Sequence, residues 1–394
     1  MTWETLDARP TAWFPTRTHA DAAALVRELA SRSGDRPLPD VDVRRTGVRI
    51  AVESGDQAAA VDEAAASLGL VADPASLQRL SIVMDVRDPV AVGGFWRRVT
   101  GYEARGDLVD PLRRDPVVRL RLRDDDRPLR TRLHLDVSRP HELGRAAARA
   151  VAPDRAPAGE EWPYFLNVAD PEGNEADLVP VAADDRFPAD AGADDWRVVF
   201  GAKSRWTGER SALVTLVERA AVLADDADLP LMIDLRDDAV VVDSYKDRWE
   251  AEGFVTLAAS VQAAARELGL SPTPDELRFL QVGVDAVDVP AVREFWRAVL
   301  GYDEDPREGV TDVVDPDLLE IPVFLQPMEA DDTARRAQRG RVHLRLDVPR
   351  DQVASRIATA EAAGGAVRES DEDAGEWAVA DPEGNELHLH ADVR

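Results

Sequence analysis

ADPEGNEADL at residues 169–178 returns as ADPEGNELHL at residues 380–389. Asp-Pro-Glu-Gly suits a type I turn, with Pro fixing φ at the second position and Gly closing the fourth. Each occurrence is therefore expected to end one strand and launch the next. On this reading the repeated Glu175 and Glu386 are architectural. The copies part just beyond the turn, where Asp177 in one stands at the place of His388 in the other.

Working outward, far more than the turn recurs. DPVAVGGFWRRVTGY (88–102) answers DVPAVREFWRAVLGY (288–302), RLHLDV (132–137) answers HLRLDV (343–348), and AAAVDEAAASLGL (58–70) answers LAASVQAAARELGL (257–270). The repeat occupies half the chain, well beyond the roughly 20–50 residues of a solenoid unit. It reads as a tandem duplication of a two-part module. The acidic stretch AADDRFPADAGADD (182–195) has Pro and Gly but no apolar periodicity, as a linker should. The expected divisions are 1–75, 76–181, the linker 182–195, 196–274 and 275–394.

Within each early part the pattern reads α, β, β, α. Amphipathic helices are expected at 20–32 and 211–224, two short strands within 41–52 and 231–245, and a second helix ending at LGL. Each later part starts with a strand (80–86; 280–286), followed by Asp88 or Asp288 with a nearby Pro, which suits a helix N-terminus. The helix carries Phe95 and Trp96, or Phe295 and Trp296, and Gly101 or Gly301 stops it. More strands, a second helix and the DPEGNE turn complete a βαβββ pair.

Composition narrows the function classes. The 394 residues exceed one ordinary core and 44% of them are apolar, as a globular protein of several domains requires. No apolar run reaches about 18 residues and the start, MTWETLDARP, lacks a signal-peptide pattern, so a soluble cytoplasmic protein with no membrane partner is expected. A net charge of −28 opposes nucleic-acid binding. With no cysteine, thiolate ligands and cysteine nucleophiles are excluded, and any metal must use His, carboxylate or amide donors.

The FWRxVxGY helix, the HLxLDV-like strand and the DPEGNE turn together resemble the vicinal oxygen chelate superfamily of glyoxalases, bleomycin resistance proteins and extradiol dioxygenases. The resemblance covers about 77–181 and 276–394. It implies paired βαβββ motifs forming a cupped sheet whose concave face holds a metal or ligand. The early parts, about 12–72 and 198–270, resemble pterin-4a-carbinolamine dehydratase. Where that family has His-His-Pro, this chain reads Asp35-Arg36-Pro37 and Asp228-Leu229-Pro230, so these parts are expected to be degenerate, serving as dimerising or lid-forming domains. The expected class is α+β, with two degenerate αββα domains and two vicinal oxygen chelate domains.

Strand parity sorts the cup residues, because alternate side chains point to opposite faces. In VHLRLDV the apolar set leaves His343, Arg345 and Asp347 opposite, in LQVGVDA it leaves Gln281, Gly283 and Asp285, and in NELHLH it leaves Glu386, His388 and His390. Gln326 shares parity with Phe324, and Arg119 with Arg121 and Arg123. Positions carried over from the glyoxalase resemblance give Gln281, Gln326, His343 and His388 as divalent-metal ligands in one copy; the other copy answers with Ser81, Arg121, His134 and Asp177, of which Ser and Arg are poor ligands. If ligands are shared across copies, one cup holds Gln281, Gln326, His134 and Asp177, a metal set with a carboxylate; the other holds Ser81, Arg121, His343 and His388. Zn, Ni, Fe or Mn would suit such donors. His134, His343 and His388 are the candidate acid–base groups. Arg121, Arg119, Ser81, Asp85, Asp285 and Phe324 are the candidate substrate contacts, the arginines suiting an anionic ligand. Trp377 is a further candidate cup aromatic.

Three functions follow as expectations. One is a glyoxalase-like lyase, isomerase or hydro-lyase acting on an oxygenated small molecule. Another is an antibiotic-type binding or resistance protein without turnover. The third is a structural or regulatory protein built from decayed copies, with residual pterin dehydration as a further alternative. The expected assembly is intrachain pairing of the two copies, or a homodimer.

Overall fold

Each early part folds as β-β-α-β-β-α, two strands more than its sequence suggested, and the second copy adds a short strand, Ser271–Pro272. The computed structural model describes residues 3–156, 165–179 and 185–392, so the first residues of the expected linker, 182–184, lie outside the described residues. In the first copy the order is Glu4–Leu6, Arg9–Pro15, helix His19–Ser33, Asp40–Val43, Gly47–Ala51 and helix Gly55–Ser67. In the second it is Arg197–Val199, Gly201–Thr207, helix Arg210–Asp226, Met232–Arg236, Ala239–Asp243 and helix Phe254–Glu267. The αββα expectation is corrected by the leading strands. They alternate, with Ala12, Phe14, Ala202 and Trp206 in the core, but flanking Pro and interleaved Lys and Arg hide so short a signal.

Two compact units divide the chain. One gathers both early parts, from Met1–Leu77, Arg139–His141 and Val181–Phe279. Its strands form one nine-stranded sheet, in which Asp40–Val43 pairs antiparallel with Met232–Arg236 and so joins the copies. One face of the sheet shares a core with all four long helices. On the other face the copies exchange partners, Arg44 bonding Asp234 at 2.6 Å and Arg236 bonding Asp42 at 2.9 Å. Burial pushes the Asp42 carboxyl up, but Arg236, Arg49 and Arg44 outweigh it and hold it well below the usual carboxylate range.

The other unit gathers both later parts, from Gln78–Ser138, Glu142–Pro180 and Leu280–Arg394. It has two sheets, and each is built from halves of different copies. The eight-stranded sheet sets Arg79–Val86 of the first copy antiparallel to Val342–Asp347 of the second. The seven-stranded sheet sets Leu133–Ser138 of the first beside Phe279–Ala286 of the second. Helices Pro89–Thr100 and Val289–Leu300 are N-capped by Asp88 and Asp288 and end at Gly101 and Gly301, both left-handed at φ 75° and 69°, as their sequences suggest. Their Phe and Trp residues enter one apolar core with the inner sheet faces. Among the described residues, no helix is long and apolar enough to cross a membrane.

The DPEGNE turns lock this exchange. Asp170 accepts from the backbone N–H of Glu172 and Asn174 at 2.8 and 3.0 Å, from the Asn174 amide at 2.8 Å and from the Trp96 indole at 3.0 Å. Asp381 repeats the set with Glu383, Asn385 and Trp296. Glu172 accepts from the Arg87 and Asp88 N–H groups that lead into the helix, both at 2.7 Å, and Glu383 does the same for Val287 and Asp288. The turns then reach across copies: Arg341 donates to Asn174 Oδ1 and Gly173 O, each at 2.9 Å, and Arg132 donates to Glu383 O at 2.7 Å. Asp170→Ala strips the acceptor from a buried indole and a buried amide, so it is expected to cost about 3 kcal/mol or more. Asp170→Asn, which keeps one acceptor oxygen, should cost less. Urea unfolding followed by tryptophan fluorescence measures both.

Candidate functional site

The seven-stranded sheet turns the expected polar parity to one face. Strand register puts Asp177 beside Asp136 and Asn167, Gly283 beside Phe324, and Asp285 beside Gln326. His134 lies over Gly283: a Cβ built there would fall 2.3 Å from His134 Cε1 and 2.6 Å from Phe324 Cζ. Only glycine leaves room for both rings, which meet edge-on with centroids 5.6 Å apart.

His134, Asp136 and Asp177 offer ligand atoms that all lie within 4.8 Å of one another. The His134 Nε2 is 3.6 Å from Asp136 Oδ1 and 3.9 Å from Asp177 Oδ2. The ring is 2% exposed, yet neither of its nitrogens makes a hydrogen bond. Such buried orphans are costly and need a reason. The carboxylates are oriented from behind, Asp177 by the Asn167 amide at 2.7 Å and Asp136 by the Gln281 amide at 2.7 Å. One imidazole and two carboxylates fit a divalent first-row cation.

Gln281 and Gln326, expected as ligands, are on this face with their amide groups donating to carboxylates, Gln326 to Asp285 at 2.6 Å. Asp285 is also ion-paired with Arg335 and is buried. Asp136 was not among the expected ligands. The signal was in RLHLDV, where His134 and Asp136 share parity.

The eight-stranded sheet forms the other cup, with His343 beside Val83, Arg345 beside Ser81 and His388, and Asp85 beside Arg121. The His343 and His388 rings stack at 4.0 Å and 29°. His388 Nε2 is 3.1 Å from Glu386, which pairs with Arg339 at 2.9 Å. Burial pushes Glu386 up, but bonds to His388 and Arg339 outweigh it and leave its carboxyl below the usual range. Asp85 is buried between Arg121 at 2.7 Å and Arg127 at 2.9 Å. Arg119 pairs with Asp107 at 3.1 Å and donates weakly to Ser81 Oγ at 3.4 Å. Burial, then the charges of His388, Arg121, Arg339 and Arg127, hold His343 well below its ordinary value of 6.5.

Two sequence expectations are corrected. Trp377 is no cup aromatic, because its strand partner is Leu389 and it packs in the core. RLHLDV and HLRLDV do not align as written. Asp285 N–H donates to Arg132 O as Asp85 N–H donates to Arg341 O, both at 2.8 Å, so Arg132 matches Arg341 and His134 matches His343. Asp136 therefore corresponds to Arg345, not Asp347.

The model of the glyoxalase-like domain matches residues 81–179 and 281–390, more than half the chain. The chain belongs to this glyoxalase-like, vicinal oxygen chelate family. Among solved structures it is similar to glyoxalase I from Zea mays, at 10% identity over 80% of this chain and 92% of that one, with a TM-score of 0.41. A mutant of a genomically encoded fosfomycin resistance protein from Listeria monocytogenes, complexed with Mn(II) and a dihydroxypropylphosphonic acid, is similar at 13% identity over 28% of this chain and 86% of that one, TM-score 0.23. A glyoxalase/dioxygenase from Nostoc punctiforme is similar at 17% identity over 29% and 90%, TM-score 0.24. No curated protein sequence matches the chain.

The glyoxalase-like unit should betray its depressed histidine in acid. Below about pH 6.5 an unfolded His343 binds a proton that the native ring refuses, so stability falls as pH drops from there toward the native value. His343→Gln is expected to make that fall shallower in urea titrations between about pH 6.5 and 5. Imidazole NMR should show His343 still neutral at about pH 6.

Proposed function

We propose that the chain is a glyoxalase-like enzyme, a lyase, isomerase or hydro-lyase, acting on an oxygenated small molecule in the cup of the seven-stranded sheet. His134, Asp136 and Asp177 would hold a divalent cation there, Zn, Ni, Fe or Mn. The observation that carries the reading is the His134 ring, buried with both nitrogens unbonded beside two carboxylates. A bound cation supplies Lewis acidity toward a substrate oxygen. The chain's own part is placement. Asn167 and Gln281 fix the carboxylates, Gly283 lets the imidazole lie against the strand, and Phe324 gives an apolar wall at its edge.

The cation reading favours this cup over the one holding His343 and His388. Among the described residues, the only group of three His or carboxylate donors close enough for one ion is His134, Asp136 and Asp177. For the early parts we propose a degenerate pterin dehydratase-like fold in a scaffolding role. In support, Asp35 and Asp228 stand where histidines would be needed; Asp35 is exposed, and Asp228 is exposed and paired with Arg45 at 2.5 Å. Neither is enclosed as an acid–base group should be.

Protein purified without a His tag and reconstituted with Mn, Fe, Ni or Zn is expected to carry about one ion per chain by elemental analysis. Asp177→Asn should weaken metal binding at least about tenfold. Gly283→Ala should weaken it too, by driving His134 aside, although the residue touches no metal. Absence of bound metal in the wild type would overturn the reading.

A further inference from the structure

The two cups are built alike and carry opposite chemistry. Where one has Asp136, Asp177, Gln326 and Phe324, the other has Arg345, His388, Arg121 and Arg119. The buried imidazole is kept: His343 is 3% exposed and its Nε2 makes no hydrogen bond. Its charged surroundings are reversed. The guanidinium charges acting on it most strongly, those of Arg121, Arg339 and Arg127, all oppose a positive charge at the ring. A cation placed beside this nitrogen would be repelled, and an anion drawn in.

One guanidinium is positioned to receive that anion. Arg121 spends only its Nε on Asp85, at 2.7 Å, which fixes the plane of the group. The side chain is 48% exposed, and among the described residues no hydrogen bond or ion pair engages its two terminal amino groups. A guanidinium edge of this kind matches the two oxygens of a carboxylate or phosphate. The other cup face arginines are committed, Arg119 to Asp107, Arg123 to Glu172, and Arg345 to Asp347 at 2.8 Å.

We propose that this cup is a metal-independent site for a small oxyanion, a carboxylate or a phosphate, gripped by the terminal amino groups of Arg121 with His343 Nε2 as its second hydrogen-bonding partner. The neutral imidazole donates through Nε2–H or accepts from a ligand hydroxyl, according to its tautomer. Asp85 sets the guanidinium and keeps Arg127 as a second cation at 2.9 Å, so removing Arg121 does not strand a buried carboxylate.

The test titrates pyruvate and, separately, inorganic phosphate into full-length protein, both EDTA-treated and Mn-loaded. Calorimetry gives affinity, and imidazole NMR reports on His343. The site predicts saturable binding of at least one probe that moves the His343 signals and survives EDTA. Arg121→Gln should weaken it about tenfold or more, and Arg121→Lys, which keeps charge but loses the fork, should not restore it fully. Pyruvate binding alone identifies the ligand as a carboxylate, and phosphate binding alone as a phosphate. The proposal is overturned if neither probe saturates, if Arg121→Gln binds like wild type, or if EDTA or Asp177→Asn abolishes binding. The last outcome would place the ligand on the metal cup, whose own reading stands or falls on metal content.

Discussion

Two buried carboxylates, Asp170 and Asp381, hold the glyoxalase-like unit in register. Each collects a helix indole, an amide and two turn N–H groups onto one side chain, so helix, turn and following strand are positioned together. A charged acceptor with several donors is stronger than the same bonds made singly. Because Arg341 binds the first copy's turn and Arg132 the second's, that local order passes across the duplication. Neither copy completes a sheet by itself, and the crossed Arg44–Asp234 and Arg236–Asp42 pairs show the same interdependence in the unit of early parts.

The exchange of halves explains how one repeat yields two unlike cups. Each cup joins one group of strands from each copy, so a change in either copy touches only half of each cup's sheet. Asp177 and His388 therefore do not compete for one role. Asp177 joins the second copy's Gln281 and Gly283, and His388 joins the first copy's Ser81 and Arg121. Divergence could then run to opposite sign without disturbing the shared core, which lies on the other face of both sheets.

Much of this was legible in the sequence because it rests on local periodicity. The repeat, the Asp caps, the glycine stops and the inward parity of His134, His343, Gln281 and His388 need only a few neighbouring residues to read. What required the structure depends on distant partners. Which half pairs with which is set by contacts such as Arg341 to Asn174, far apart in the chain. Asp85 and Asp285 look like free cup carboxylates until Arg127 arrives from a loop and Arg335 from the short helix Thr333–Ala337. RLHLDV and HLRLDV mislead as to register because the extra residues of the second copy repeat the same alternation. That two-residue slip preserves every face, so hydrophobic pattern alone cannot detect it.

Position 283 carries the divergence one step deeper than the ligands. With glycine there, His134 and Phe324 occupy the volume above the strand and the imidazole lies low between Asp136 and Asp177. The matching residue in the other cup is Val83, beside His343, and that ring stacks against His388. A carboxylate at the place of His388 would lose that stacking partner, while an imidazole at the place of Asp177 would leave the candidate metal site with one carboxylate fewer. The backbone residue and the ligand beside it are therefore coupled: converting one cup into the other requires both to change.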